Sequence, residues 1–152
     1  MRLSATATAL ILAAGLAGCG GGAPAPPERS PEELKAAQAA LPAPYSTADL
    51  ENGRALFRQC RSCHTVTAGG ANLTGPNLHG VVGRPAGALP GYAYSAPMRQ
   101  AGLVWEPAKL DAYLAEPRAV VPGTKMSFVG LKAAQERIDV IAYLMLESPP
   151  AP

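Results

Sequence analysis

Apolar residues fall along this chain in three kinds of run, and each predicts a different element. The first is unbroken. Leu3 to Ala17 follows Met1-Arg2 and ends in Leu16-Ala17-Gly18-Cys19, too short and too abruptly closed to cross a membrane, and it reads as an export signal. The second kind has helical period. Leu50, Gly53, Leu56, Phe57 and Cys60 predict a helix capped by Ser46 or Thr47. Leu110, Tyr113 and Leu114 predict another, opened by Trp105-Glu106-Pro107 and ended before Pro117. A longer one is expected from about Lys132 to Glu147, burying Ile138, Ile141, Ala142 and Met145. Ser95-Ala96-Pro97 starts a short helix through about Gln100. Upstream, Ser30-Pro31-Glu32-Glu33 is a capping box with proline at the first helical position. It predicts a helix through about Ala40 whose apolar face is only Leu34, Ala37 and Leu41, ended by Pro42 and Pro44. The third kind is broken up by Gly and Pro, from Gly69-Gly70 to Pro90-Gly91. That density forbids long helices and suits a chain wrapping something flat and apolar. No strand pattern is found, so the fold class is all-α.

Length and composition divide the chain further. Its 152 residues hold one domain with additional segments: a signal over 1–18, a Gly/Pro/Ala-rich tether over 19–44, and a domain over 45–152. The 25 residues from Gly20 to Pro44 would span on the order of 25–30 Å if fully flexible. A formal charge of +2 points to no nucleic-acid partner. Two Phe and one Trp are few for a core of this size. Something beyond the side chains must supply much of the apolar centre.

The cysteines say what that is. Cys60-Arg61-Ser62-Cys63-His64 has the C-x-x-C-H spacing of c-type haem attachment. Two thiols at adjacent helical positions add to the two vinyl groups of one porphyrin, and the next histidine is held beneath the ring, within reach of iron. The alternatives are a thioredoxin-like redox pair, which should lie in a βαβ pattern, and half of a zinc site. A zinc site needs a fourth ligand, for which only His79 is near in sequence. Cys19 has a separate use. Leu16-Ala17-Gly18-Cys19 looks like a bacterial lipobox, in which the cysteine is lipidated and becomes the first mature residue. No cysteine is left for a disulfide.

From about Asp49 to Leu146 the chain resembles class I cytochrome c, in its mitochondrial and cytochrome c2 branch. The matching pieces are Cys60 to Thr65, Thr74-Gly75-Pro76-Asn77-Leu78-His79-Gly80, Gly83-Arg84, Pro90 to Ser95, Trp105, Pro122-Gly123-Thr124-Lys125-Met126 and Glu136 to Leu144. The resemblance implies terminal helices that cross and loops wrapped around one covalent haem c. It implies thioethers at Cys60 and Cys63, with His64 as the proximal metal ligand, its other nitrogen bonded to the Pro76 carbonyl. Met126 would be the sixth ligand, with His79 the distant alternative and otherwise a surface residue of the loop. Met98 and Met145 lack the Pro-Gly turn that aims a side chain at iron. Arg84, Tyr94 and Trp105 would serve the haem propionates, Tyr113 would lie near the methionine sulfur, and Phe128 beside the exposed haem edge. Gly53, Phe57 and Tyr143 are assigned to the helix crossing.

Three departures qualify the likeness. Asn72 replaces a histidine that often braces the loop, so a different hydrogen bond is expected there. Met98 replaces an asparagine, which should alter the polar network near the methionine ligand. The ring of lysines around the haem edge is thin, with candidates Arg58, Arg61, Arg118, Lys125 and Lys132. The expected function is a one-electron carrier, monomeric, lipid-anchored on the outer side of a bacterial membrane. Its partners would be a donor of the quinol–cytochrome c reductase type and an acceptor such as a terminal oxidase, reductase or reaction centre. A fixed electron-entry subunit is the alternative, and a haem sensor or peroxidase with a labile methionine is the more distant one.

Overall fold

A computed structural model describes residues 30–148. The signal run, Cys19 and the first part of the predicted tether lie outside these residues. Among the described residues six helices follow one another: α1 (Pro31–Ala39), α2 (Leu50–Phe57), α3 (Ala96–Gln100), α4 (Pro107–Ala115), α5 (Pro117–Val120) and α6 (Ala134–Glu147), with a 3-10 turn at Tyr45–Thr47 before α2. Among the described residues the only β pairing is one antiparallel bridge, Pro85 with Val104. The fold is all-α, as the periodicity predicts.

The crossing of α2 and α6 is the frame on which the rest hangs. A Cβ on Gly53 would overlap the Asp139 carbonyl oxygen and meet Tyr143 Cβ at 3.1 Å, so only glycine lets the backbones approach this closely. Phe57 and Tyr143 pack beside it with ring centroids 5.2 Å apart. Asp139, buried to 1 % exposure, ties the two helices. Its carboxylate accepts from the Asp49 amide at 3.0 Å, Asn52 Nδ2 at 2.8 Å and Gln135 Nε2 at 2.9 Å. A buried carboxylate is tolerated when hydrogen bonds replace its water.

Asp49, rather than Ser46 or Thr47, caps α2: its side chain accepts from Asn52 N at 2.9 Å. Ser46 and Thr47 belong instead to the 3-10 turn, and Ala48 between them and the cap is buried in extended backbone. The helix also stops earlier than its apolar period. After Phe57 the bonds tighten to three-residue steps, with Cys60 N donating to Phe57 O at 2.9 Å. Cys60 and Cys63 therefore sit on successive turns rather than in the α-helix.

α6 begins two residues later than the pattern predicts because Leu131 and Lys132 are engaged by α4. Leu131 N donates to Leu114 O at 2.8 Å, and Lys132 Nζ to Ala115 O at 3.0 Å. Arg137 closes the same joint, bonding Asp111 Oδ1 at 2.8 Å and the carbonyls of Leu131 and Lys132, both at 3.0 Å. The buried face of α6 is wider than expected. Ile141 and Ala142 are fully enclosed, Val140, Tyr143, Leu144 and Leu146 join them, and Ile138 and Met145 lie half-buried at its margins. Pro117 ends α4 by opening α5, an element the sequence did not predict.

The capping box of α1 is present: Ser30 N donates to Glu33 Oε2 at 2.7 Å, and Glu33 N to Ser30 Oγ at 3.2 Å. Leu34, Ala37 and Leu41 are half-buried. α1 leans on the 3-10 turn and α6, and Gln38 Nε2 donates to Ala48 O at 2.6 Å. No described helix is long and apolar enough to cross a membrane.

Candidate cofactor site

The loops between α2 and α6 enclose one predominantly apolar cavity. Cys60, Cys63, His64, Pro76, Arg84, Tyr94, Trp105, Tyr113, Met126 and Phe128 all line it. Residues spread over nearly seventy positions thus share one site. Its apolar wall comes from both long elements and the loops: Phe57, Leu78, Val81, Leu110, Leu114, Val140 and Leu144. Helical period marks Phe57, Leu110 and Leu114 among these, but only as core. That they face a cavity rather than each other is not visible in the pattern.

His64 is held by its neighbours Pro76 and Gly75. Its Nδ1 donates to Pro76 O at 2.7 Å, which leaves Nε2 as the lone-pair nitrogen. Burial holds its pKa below the ordinary 6.5, partly offset by that hydrogen bond, so the ring is neutral at pH 7. Gly75 lies flat against it. A Cβ there would overlap the imidazole, whose nearest atoms are Cε1, Nδ1 and Nε2. The close approach explains why glycine precedes the proline.

Facing chemistry comes from the Pro122–Met126 turn. Tyr113 Oη and Thr124 Oγ1 are 2.8 Å apart, and Met126 N donates to Thr124 Oγ1 at 3.3 Å. Lys125 Nζ donates to Ala93 O at 2.8 Å, joining this turn to the loop after Pro90. Burial raises the Tyr113 pKa, with the Thr124 hydrogen bond opposing it, and raises that of Tyr94, chiefly against Arg84. Both remain phenols at neutral pH. Trp105 and Tyr113 touch, with centroids 4.7 Å apart.

Arg84 is half-buried and donates to His79 O at 3.1 Å and Asn77 O at 3.0 Å. Burial lowers its pKa, against the raising influence of Tyr94, yet a guanidinium stays charged. Among the described residues no carboxylate pairs with it. A cation lining an apolar cavity without a counter-charge fits a cofactor that brings its own carboxylates, as haem does. The thiols fit as well. Burial first, and then Cys63, push the Cys60 thiol up to about 11, the opposite of the lowered value a redox C-x-x-C pair uses. Nor do the described residues gather three His, Cys, Asp or Glu side chains into a metal-holding group.

Some expectations change. His79 is half-buried rather than a surface residue: its Nδ1 is enclosed with no hydrogen-bond partner in the structure, and it does not line the cavity. Asn72 itself braces the loop, donating to Gly91 O at 3.3 Å and accepting from Asn77 N at 2.8 Å. These are the different hydrogen bonds that the loss of the histidine calls for. Met98 is buried and lines the same cavity as Met126, so two methionines contribute to it. Ser95, which caps α3, and Thr124 line it too and went unassigned from sequence; their hydroxyls are recognisable only once the loops are placed.

The cavity, with attachment cysteines and a neutral histidine along it and loops closed by crossing helices, defines a c-type haem protein. The family profile described as Cytochrome c matches residues 50–146, and this chain belongs to that family. It is 50% identical over 100 residues to cytochrome c2 of Rhodomicrobium vannielii, covering 66% of this chain and 80% of that one. It is 42% identical over 106 residues to cytochrome c of Kluyveromyces lactis, covering 69% and 96%. Among solved structures, cytochrome cH from Methylobacterium extorquens matches with a TM-score of 0.60 at 42% identity, covering 64% of this chain and 97% of the other. The protein carries haem c, bound covalently through Cys60 and Cys63, and is an electron carrier of this family.

Proposed function

We propose that this protein is an exported, lipid-anchored carrier of single electrons between membrane complexes, in which His64 and Met126 would hold the haem iron. One observation carries the reading. His64 and Met126, from segments far apart in sequence, line one cavity, and the other ring nitrogen of His64 is already engaged by Pro76. The bound haem supplies a one-electron couple at its iron, which a neutral thioether ligand shifts towards the reduced state.

The chain supplies rigidity. Pro76 and Gly75 fix the plane of His64. Tyr113 and Thr124 hold the backbone at Met126, and Lys125 ties that turn to Ala93. Few protein atoms need then move when an electron arrives. With His64 and Met126 both holding the iron, no position on it would be left for a substrate, which favours a carrier over an enzyme. Arg84, Tyr94 and Trp105 would receive the propionates, and Phe128 would stand at the ring edge. Cys19 would carry the lipid and place the domain on the periplasmic or outer face of a bacterial membrane. Donor and acceptor would be complexes of the quinol–cytochrome c reductase and terminal oxidase, reductase or reaction-centre types, met through small transient interfaces. Anchoring keeps the local concentration near them high.

The test is the visible and near-infrared spectrum of the full chain, made with haem-attachment machinery, with and without CO. A low-spin spectrum, a thioether band lost in Met126→Ala, and no response to CO are expected. A high-spin spectrum shifted by CO would overturn the carrier reading in favour of a sensor or peroxidase. Stable co-purification with one complex would instead make it a fixed subunit. Cys19→Ser should release the protein from membranes.

A further inference from the structure

We propose that Asn77 and Thr65 are positioning residues that set the strength of the hydrogen bond on His64, and through it the reduction potential. The proposal rests on His64 being an axial ligand. The strand of chain carrying the haem motif and the strand carrying Gly75-Pro76 are joined rung by rung. Gly75 N donates to Cys63 O at 2.8 Å, His64 Nδ1 to Pro76 O at 2.7 Å, and Leu78 N to Thr65 O at 2.8 Å. The side chain of Asn77 adds the rung that the backbone lacks, Nδ2 to Thr65 Oγ1 at 2.6 Å.

Asn77 is 6 % exposed and every polar group it has is engaged. Its second amide proton goes to Thr67 O at 2.9 Å, and its Oδ1 accepts from His79 N at 2.9 Å. Its own amide donates to Asn72 Oδ1 at 2.8 Å. The orientation of the carboxamide is forced, because the reverse flip would set its oxygen against the Thr67 carbonyl. Thr65 Oγ1, accepting from Asn77, donates on to Ala71 O at 2.8 Å. The residue after the proton acceptor is thus locked to the residue after the ligand. The Pro76 carbonyl cannot withdraw from the imidazole without breaking this lock.

A strong bond at Nδ1 makes the ring a better donor to oxidised iron. Loosening it should therefore raise the potential. Thr65→Val removes one hydroxyl and leaves the contacts of Asn77 with Arg84 untouched; Thr65→Ser keeps the hydroxyl. The expected result is a raised midpoint in Thr65→Val, with the His64 Nδ1 proton resonance shifted upfield and exchanging faster. Thr65→Ser should hold both at wild type. Asn77→Ala should move both in the same direction as Thr65→Val. An unchanged midpoint and proton resonance in Thr65→Val, with only stability lowered, would overturn the proposal. Should Asn77→Ala fail to fold, Thr65→Val and Thr65→Ser decide alone. A wild-type spectrum without His–Met features would mark failure of the ligand assignment itself, a result separable from failure of the lock.

Discussion

The backbone nitrogen of Asp49 donates to Oδ1 of Asp139 at 3.0 Å across 90 positions of sequence. This bond fastens the start of the first core helix to the middle of the last, and the same carboxylate receives Asn52 and Gln135. Asp139→Ala strands three donors, two of them at the helix crossing. It should cost about 3 kcal/mol, as expected when a buried charged acceptor is removed, read as a lower denaturant midpoint. Asp139→Asn, which keeps one acceptor oxygen, should lose less.

Gly53→Ala tests the crossing itself. Alanine is the better helix former by about 1 kcal/mol, so an exposed glycine would gain by the change. Here the new methyl meets the Asp139 carbonyl, and a loss of about 1–3 kcal/mol from overpacking is expected. A stabilised variant would show that the helices can part without cost.

Gly75→Ala presses a methyl onto the face of the His64 imidazole. The expected outcome is a displaced ligand with weakened low-spin absorption and reduced haem incorporation, measured against total protein. Retention of the wild-type spectrum would show that the ring can tilt freely.

A pH limit follows from burial. Tyr113 is raised above 10.0, mainly by burial. The contribution of a phenol held neutral is complete below 10.0 and is lost as pH rises through the higher folded value. Tyr113→Phe should therefore flatten the alkaline loss of stability, read as the denaturant midpoint against pH.

Removing the Gln38 contact with Gln38→Ala should free α1 from Ala48. About 1 kcal/mol is at stake, enough to expose the 40–49 segment to limited proteolysis without moving the haem spectrum. Equal protease resistance would mean that Leu34, Ala37 and Leu41 suffice to dock it.

Helical period made the all-α fold legible and the C-x-x-C-H spacing made Cys60, Cys63 and His64 so, because helix packing and covalent attachment each demand residues at set intervals; the other seven cavity residues were expected only from the resemblance to class I cytochrome c. Three kinds of feature were not. The Asp49 cap is invisible because Ser46 and Thr47 are equally good caps until Asp139 is placed beside Asp49. The late start of α6 depends on α4 claiming Leu131 and Lys132. Asp139 and Asn77 look like surface polar residues, since local pattern cannot reveal that a distant segment supplies their partners.

Lys125 and Lys132 were both read as possible greeting charges for a partner, yet each has its ammonium on a carbonyl, Ala93 or Ala115. Lys132 also stands at the end of α4, where a cation offsets the partial negative charge of the last carbonyls. A charge-reversal scan of this face would thus report at these two positions on the seating of a loop and the end of a helix. Arg61 donates to Tyr143 Oη at 3.5 Å, which leaves Arg58 and Arg118, both exposed, as the candidates at which a slowed encounter could be read as lost attraction.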